Sequence, residues 1–297
     1  MEGLIWLNLL LMRYNSFHNL QIKNLFVIKV VDLENLSEDE RKDAFAEAKI
    51  HQTLTHPNII KLREIFVAKK PSTTLNIVMD YADDGDLASK VKEQKGKFFS
   101  ESKILDWFRQ ICLAIKHIHD RKILHRDLKS GNIFITQNGL VKLGDFGIAK
   151  CLALTIDKAS TVVGTPYYLS PEIIQNKPYN FKSDIWSLGV LLYEMAALKM
   201  PFDATSLPML SLKIMRGNYT TLPNPFSKDI KNLINMMLQV DSNKRPSITE
   251  ILRQPIIKSR IKNFLNEMDY QSEFSHTILH KYVRIVNYRE ECVKASK

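Results

Sequence analysis

His125-Arg126-Asp127-Leu128-Lys129-Ser130-Gly131-Asn132, followed by Asp145-Phe146-Gly147, is the stretch that decides how this chain is read. It sets a carboxylate (Asp127), a carboxamide (Asn132) and a second carboxylate (Asp145) close together along the sequence. A group that takes a hydroxyl proton and oxygen ligands for magnesium are what phosphoryl transfer from a nucleotide requires, and that chemistry asks for little covalent participation by the protein. Each residue alone is an ordinary polar surface residue. The order and spacing of all of them carry the reading.

Upstream, Leu25 to Val31 reads Leu-Phe-Val-Ile-Lys-Val-Val, a β-rich run with Lys29 inside it. In isolation Lys29 reads as a solvent-facing residue on an edge strand. Ser37-Glu38-Asp39-Glu40 is a capping box that predicts a helix to about Leu54, with Glu47 inside it and His56-Pro57-Asn58 ending it. Ile59 to Val67 and Leu75 to Met79 read as strands around a polar Pro71-Ser72-Thr73 turn, and Asp80 to Asp86, with Gly85, reads as a hinge.

Downstream the pattern turns helical. Ser100 caps a helix with one apolar stripe at Ile104, Phe108, Ile111, Ile115 and Ile118. Ile133 to Thr136 and Leu140 to Leu143 flank Gln137-Asn138-Gly139, a hairpin signal. Ser183-Asp184 opens a helix, Ile185 to Leu198, apolar on nearly every side and so expected at the middle of a lobe. Asp229 to Val240 reads as an amphipathic helix and Ser247 to Leu252 as a short one. The expectation is an α+β fold with a small β-rich lobe and hinge (25–82) and a larger, mainly helical lobe (83–255). An apolar leader (1–24) precedes them and a basic helical extension (256–297) follows.

The 297 residues are 45 % hydrophobic and 25 % charged, ordinary values for a globular chain large enough for two lobes. Lys and Arg outnumber Asp and Glu by 42 to 32, a net charge of +10. With no polybasic run or nucleic-acid motif, a nucleic-acid partner is not expected; a basic surface favours acidic partners or anionic filaments. Cys112, Cys151 and Cys292 lack metal-ligand spacing and read as free thiols in a reducing compartment, Cys112 as core. Leu4 to Met12 lacks a basic start and a small-residue cleavage site. It is half the length of the roughly 20 residues that span a bilayer, so a soluble intracellular protein is expected.

Six segments carry a resemblance to the eukaryotic protein kinases, and within them to the NIMA-related (Nek) serine/threonine kinases. They are Val27-Ile28-Lys29-Val30-Val31-Asp32-Leu33, His56-Pro57-Asn58-Ile59-Ile60, Gly85-Asp86-Leu87, Lys129-Ser130-Gly131-Asn132-Ile133-Phe134, the run Gly164-Thr165-Pro166-Tyr167-Tyr168-Leu169-Ser170-Pro171-Glu172, and the run from Lys177 to Trp186. The resemblance covers roughly Leu25 to Leu265. It implies a bilobal kinase fold and transfer of the ATP γ-phosphoryl, with Mg2+, to Ser or Thr hydroxyls of protein substrates. Cytoskeletal or ciliary partners and a cytoplasmic location follow from the same likeness. It gives Asp127 the role of base, Lys129 a positive charge beside the transferring group, and Asn132 and Asp145 the magnesium ions. Lys29 would pair with Glu47 and grip the α- and β-phosphates. Met79 stands at the gatekeeper position, Asp80 and Ala82 would offer backbone groups to adenine, and Asp86 could reach the ribose. Asp145 to Glu172 resembles an activation segment, with Thr165 near the base, Thr161 as activating phosphosite and Ser160 as second choice, near Arg126. Glu172 would pair with Arg245, and Asp184 would brace the catalytic loop.

Two features depart from that pattern. A kinase covers its phosphates with a Gly-x-Gly-x-x-Gly hairpin, where the backbone must come close and adopt turns closed to other residues. Here the one glycine before Gly85 is Gly3. Either the chain starts late or is spliced differently, with the leader as unrelated filler, or it is a variant that binds nucleotide weakly. The alternative function is then a pseudokinase acting as an interaction module. The second departure is His51, one turn after Glu47, where the family usually places an aliphatic residue. A polar ring there is expected to loosen the active arrangement of the helix.

Overall fold

The computed structural model describes residues 8–14, 24–145 and 166–262. The small lobe is a four-stranded antiparallel sheet in the order β1-β2-β4-β3, built from β1 (Asn8–Tyr14), β2 (Asn24–Asp32), β3 (Leu62–Ala68) and β4 (Thr74–Asp80). The β-branched run of β2 makes it a central strand. Lys29 lies between Leu9 of β1 and Ile77 of β4, so it is not on an edge. The edge belongs to β1, which comes from the apolar leader and pairs with β2 from Asn8↔Val30 to Tyr14↔Asn24. Residues 8–14 of the leader are therefore part of the sheet.

Helix α1 (Glu38–Gln52) starts at the predicted capping box: Ser37 accepts from the Glu40 N–H, and the Glu40 carboxylate accepts from the Ser37 N–H at 2.8 Å. Ala48 of α1 packs with Leu33, Leu62, Leu75 and Ile77 as the small lobe's own core. The strands lie within a residue or so of their predicted places, except that β3 begins at Leu62 and not Ile59. Ile59 and Ile60 instead tie the lobes together. The Leu143 N–H donates to the Asn58 carbonyl and the Ile60 N–H to the Leu143 carbonyl, each at 2.8 Å.

The large lobe holds α2 (Leu87–Glu93), α3 (Glu101–Asp120), the hairpin β5 (Ile133–Ile135) and β6 (Val141–Leu143), and α4 (Pro171–Ile174). Then come α5 (Phe181–Ala197), α6 (Leu207–Arg216), α7 (Lys228–Met237), α8 (Ile248–Leu252) and α9 (Pro255–Lys262). Helix α5 is buried from Ser183 to Ala197, as expected of a helix apolar all round. It starts earlier than the sequence suggests, at Phe181, because Asn180 is the cap and Ser183 its reciprocal partner. Helix α3 buries more than one stripe: Arg109, Gln110, Lys116, His117 and His119 are inside too; Gln110 bonds Asn58 and the Val141 N–H, each at 2.9 Å, and His119 meets Asp184. Helices α2 and α6 had no distinct sequence signal. Ile257 and Ile261 of α9 join the core, and Arg260 pairs with Asp106 of α3 at 3.0 Å, so the extension is part of the lobe through that helix. Cys112 is a buried free thiol; Cys151 and Cys292 lie outside the described residues. Among the described residues no helix is long and apolar enough to cross a membrane.

Candidate active site

The loop from His125 to Asn132 is shaped by one buried carboxylate. Asp184, in the first turn of α5, accepts from the backbone N–H groups of His125 (3.0 Å) and Arg126 (3.1 Å) and from the Tyr179 hydroxyl (2.6 Å). His119 Nε2 lies 2.8 Å from it. Burial pushes the Asp184 carboxyl up, but the hydrogen bond and charge of His119, with His125 and Tyr179, hold it below the usual range. Arg126 takes a left-handed φ of +69° to follow this path, a conformation that needs such surroundings to persist. The bracing expected of Asp184 is present.

Asp127, Lys129 and Asn132 come together. Lys129 Nζ is 3.0 Å from Asp127 Oδ2, and Asn132 Nδ2 donates to the same oxygen at 2.9 Å and to the Asp127 carbonyl at 2.7 Å. The end of β6 is fastened to this loop, since the Gly144 N–H donates to the Asn132 carbonyl at 3.0 Å and His125 Nε2 is 3.2 Å from the Gly144 carbonyl. That presents Asp145, also at a left-handed φ (+48°), to the small lobe. There Lys29 Nζ donates to Asp145 Oδ1 at 2.8 Å and lies 3.8 Å from Glu47 Oε1. Burial opposes charge on Lys29, but Asp145 and then Glu47 outweigh it and hold the ammonium above its usual range. Asp145 and Asn132 offer hard oxygen donors, the kind magnesium accepts while keeping most of its shell for water and phosphate. Among the described residues no cluster of three or more His, Cys, Asp or Glu side chains could hold a metal unaided.

His51 is buried, with Nε2 2.7 Å from the Ile60 carbonyl. The polar ring thus has a partner, and α1 keeps Glu47 beside Lys29. At the hinge, Met79 packs against the small-lobe core and Ala82 is buried. The Asp80 N–H is taken by the Lys61 carbonyl at 3.0 Å, and its carboxylate receives Arg63 at 2.5 and 3.0 Å. Asp86 caps α2: its two oxygens receive the Ser89 N–H and hydroxyl, each at 2.9 Å. A ribose there would share oxygens already in use.

Glu172 and Arg245 form the expected pair, bidentate at 2.8 Å on both arms. The remaining guanidinium N–H groups reach the Gln239, Lys182 and Val240 carbonyls at 2.7–3.2 Å. Burial raises the Glu172 carboxyl, but Arg245 and Ser183 bring it below its usual value. One cluster escaped the sequence reading. Tyr168 bonds Glu194, and both bond Ser130 of the catalytic loop, through the Ser130 N–H to Tyr168 Oη at 3.1 Å and its hydroxyl to Glu194 at 3.0 Å. A lone Glu inside the otherwise apolar α5 was the available signal, because a buried carboxylate needs partners. Phe146, Ser160, Thr161 and Thr165 lie outside the described residues.

The model of the protein kinase domain family matches residues 15–257. The chain is 46 % identical over 257 residues to "Serine/threonine-protein kinase Nek1" of Mus musculus, covering 86 % of this chain and 21 % of that protein. It is 46 % identical over 254 residues to "Serine/threonine-protein kinase Nek5" of Homo sapiens, covering 85 % and 36 %. With "Serine/threonine-protein kinase Nek3" of Mus musculus it shares 50 % over 220 residues, 74 % and 42 %. The chain thus spans well under two thirds of the length of these relatives. It belongs to the protein kinase domain family and, within it, to the NIMA-related serine/threonine kinases.

Proposed function

We propose that this chain transfers the γ-phosphoryl of ATP to Ser and Thr hydroxyls of protein substrates, with Asp127 as base and Asn132 and Asp145 as magnesium ligands. A bound magnesium nucleotide supplies the phosphoryl group and much of the charge neutralisation. The chain's residues do the positioning. Asp127, fixed by Asn132, orients a substrate hydroxyl and takes its proton. Lys129 places positive charge where negative charge develops. Lys29, beside Glu47, would hold the α- and β-phosphates of a bound nucleotide. Met79, Asp80 and Ala82 would border the adenine, and Asp86 would reach the ribose. The observation that carries this reading is the convergence of Lys29, Asp145, Asn132 and Asp127 from two lobes through bonds of 2.7–3.0 Å.

Arg126 supports regulation by phosphate on Thr161 or Ser160: its Nε is buried with no partner among the described residues, and a guanidinium forms strong charge-assisted hydrogen bonds to phosphate. Membership of the protein kinase family supports protein substrates; we further propose a cytoplasmic site of action and cytoskeletal or ciliary partners.

The test is nucleotide binding and turnover together. Mg-ATP should raise the melting temperature of the full chain and support phosphate incorporation. Asp127→Asn should keep the thermal shift and lose incorporation. A chain with neither response, yet folded, is an interaction module and not a kinase.

A further inference from the structure

Beside the catalytic loop, the large lobe has a second concave surface with a distinct charge pattern. A cleft of about 510 Å³ opens between the end of α5 and helix α6. Its floor is a rigid aromatic group: the Tyr193 hydroxyl donates to the Thr220 carbonyl at 2.8 Å, and the Tyr219 ring meets Tyr193 and Phe202 edge-on at 5.7 and 5.8 Å. Its rim carries Lys199, Lys213 and Arg216 against one carboxylate, Asp203. Lys213 donates to the Asp203 backbone carbonyl at 2.5 Å. Among the described residues none of the three cations has a carboxylate partner. Met209 and Leu212, each 50 % exposed, stand on α6 at the three- and four-residue spacing that puts them on one face with Lys213 and Arg216. Tyr167 lines the same cleft and adjoins Tyr168, which bonds Ser130 of the catalytic loop.

We propose that this cleft and the exposed face of α6 dock an acidic segment of the protein substrate, a stretch of Asp and Glu with an apolar residue among them. The inference rests on the kinase reading and names the substrate class for it. Unpaired cations above an aromatic floor are complementary to carboxylates, and the half-exposed Met and Leu beside them match an apolar side chain. A nucleic acid would require a longer track of cations than three and leave Met209 and Leu212 without a partner. Through Tyr167 and its neighbour Tyr168 the cleft adjoins the loop that carries Asp127.

Binding of a fluorescein-labelled peptide to the full chain, without nucleotide, tests this apart from catalysis. The probe carries six Asp or Glu around one Leu. The account expects saturable binding that weakens with salt and becomes at least about tenfold weaker when Gln and Asn replace the acids or when Lys199→Glu, Lys213→Glu and Arg216→Glu are combined. With a Ser-bearing acidic peptide as substrate, that triple variant should raise KM and leave kcat unchanged. Should charge reversal lower the melting temperature, Lys199→Gln, Lys213→Gln and Arg216→Gln provide the same test, with a several-fold loss expected. Equal affinity for acidic and neutral probes, or a folded variant that binds as well as the parent, overturns the proposal. So does a phosphoserine peptide that binds where the Asp/Glu peptide does not, or an oligonucleotide that displaces the probe at lower concentration. Absence of phosphate transfer with peptide binding intact counts against the kinase reading alone.

Discussion

At the scale of residues, the site rests on charges whose burial is compensated. Arg245 is the clearest case, because all its N–H groups are used and it also lies 5.0 Å over the Trp186 ring. Glu172→Gln should cost about 3–5 kcal/mol, since it leaves a buried guanidinium without its counter-charge. Replacing both residues, Glu172→Leu with Arg245→Met, should restore much of that loss, and urea denaturation of the single and double variants checks both. The closeness of Asp127, Asn132 and Asp145 was legible because they lie in one short stretch of sequence. Glu172 with Arg245 and Lys29 with Glu47 were legible through likeness to a family. The Tyr168–Glu194–Ser130 cluster was not, because its members come from three distant segments and each resembles an ordinary polar residue. Asp86 is a further case: it caps α2, a role the sequence reading missed, and that role engages the oxygens expected to serve a ribose.

Among the elements, caps and close approaches decide the boundaries. Ser37→Ala removes the N-cap of α1, the helix that carries Glu47, and should cost about 1 kcal/mol. Amide exchange in the first turn of α1 is the direct readout, and unchanged protection there would contradict the cap's role. Gly189 has a packing role: a Cβ there would meet Leu238 Cδ2 at 2.8 Å and Met237 Cβ at 2.9 Å, at the crossing of α5 and α7. Gly189→Ala should therefore destabilise by about 1–3 kcal/mol despite alanine's better helix propensity. A gain in melting temperature would show that the two helices can separate at no cost. The starts of α1, α3 and α8 were readable from their caps almost to the residue, whereas the caps of α2, α5 and α6 were not. Strand β1 was not readable as a sheet member, because pairing with β2 depends on which edge the fold leaves open, and no local pattern records that.

For the whole molecule, two cores joined through a few polar contacts make stability depend on pH. Burial lowers the pKa of His51, His56 and His125, that of His56 to about 4. Unfolded histidines take a proton near 6.5, so below that pH the unfolded chain binds more protons than the folded one. Stability should be flat in this respect above about pH 6.5. It should fall as the pH drops toward 4, by up to about 1.4 kcal/mol per pH unit for each histidine titrating. Glu194, which burial holds above its usual range, acts in the opposite sense and offsets part of the loss. A urea midpoint that stays constant from pH 7.5 to 5 would contradict this. The bilobal α+β architecture was legible because the change from strand-like to helical text coincides with the polar hinge. The central claim remains that groups from both lobes converge on one phosphoryl-transfer site. Its most direct test is the initial rate of phosphate transfer from ATP to a Ser/Thr peptide library, measured for the full chain and for Asp145→Asn at equal concentration. The account predicts magnesium-dependent phosphoserine and phosphothreonine from the parent and at least about a thousandfold less from the variant. Equal rates from the two proteins, or none from a folded parent, would contradict it.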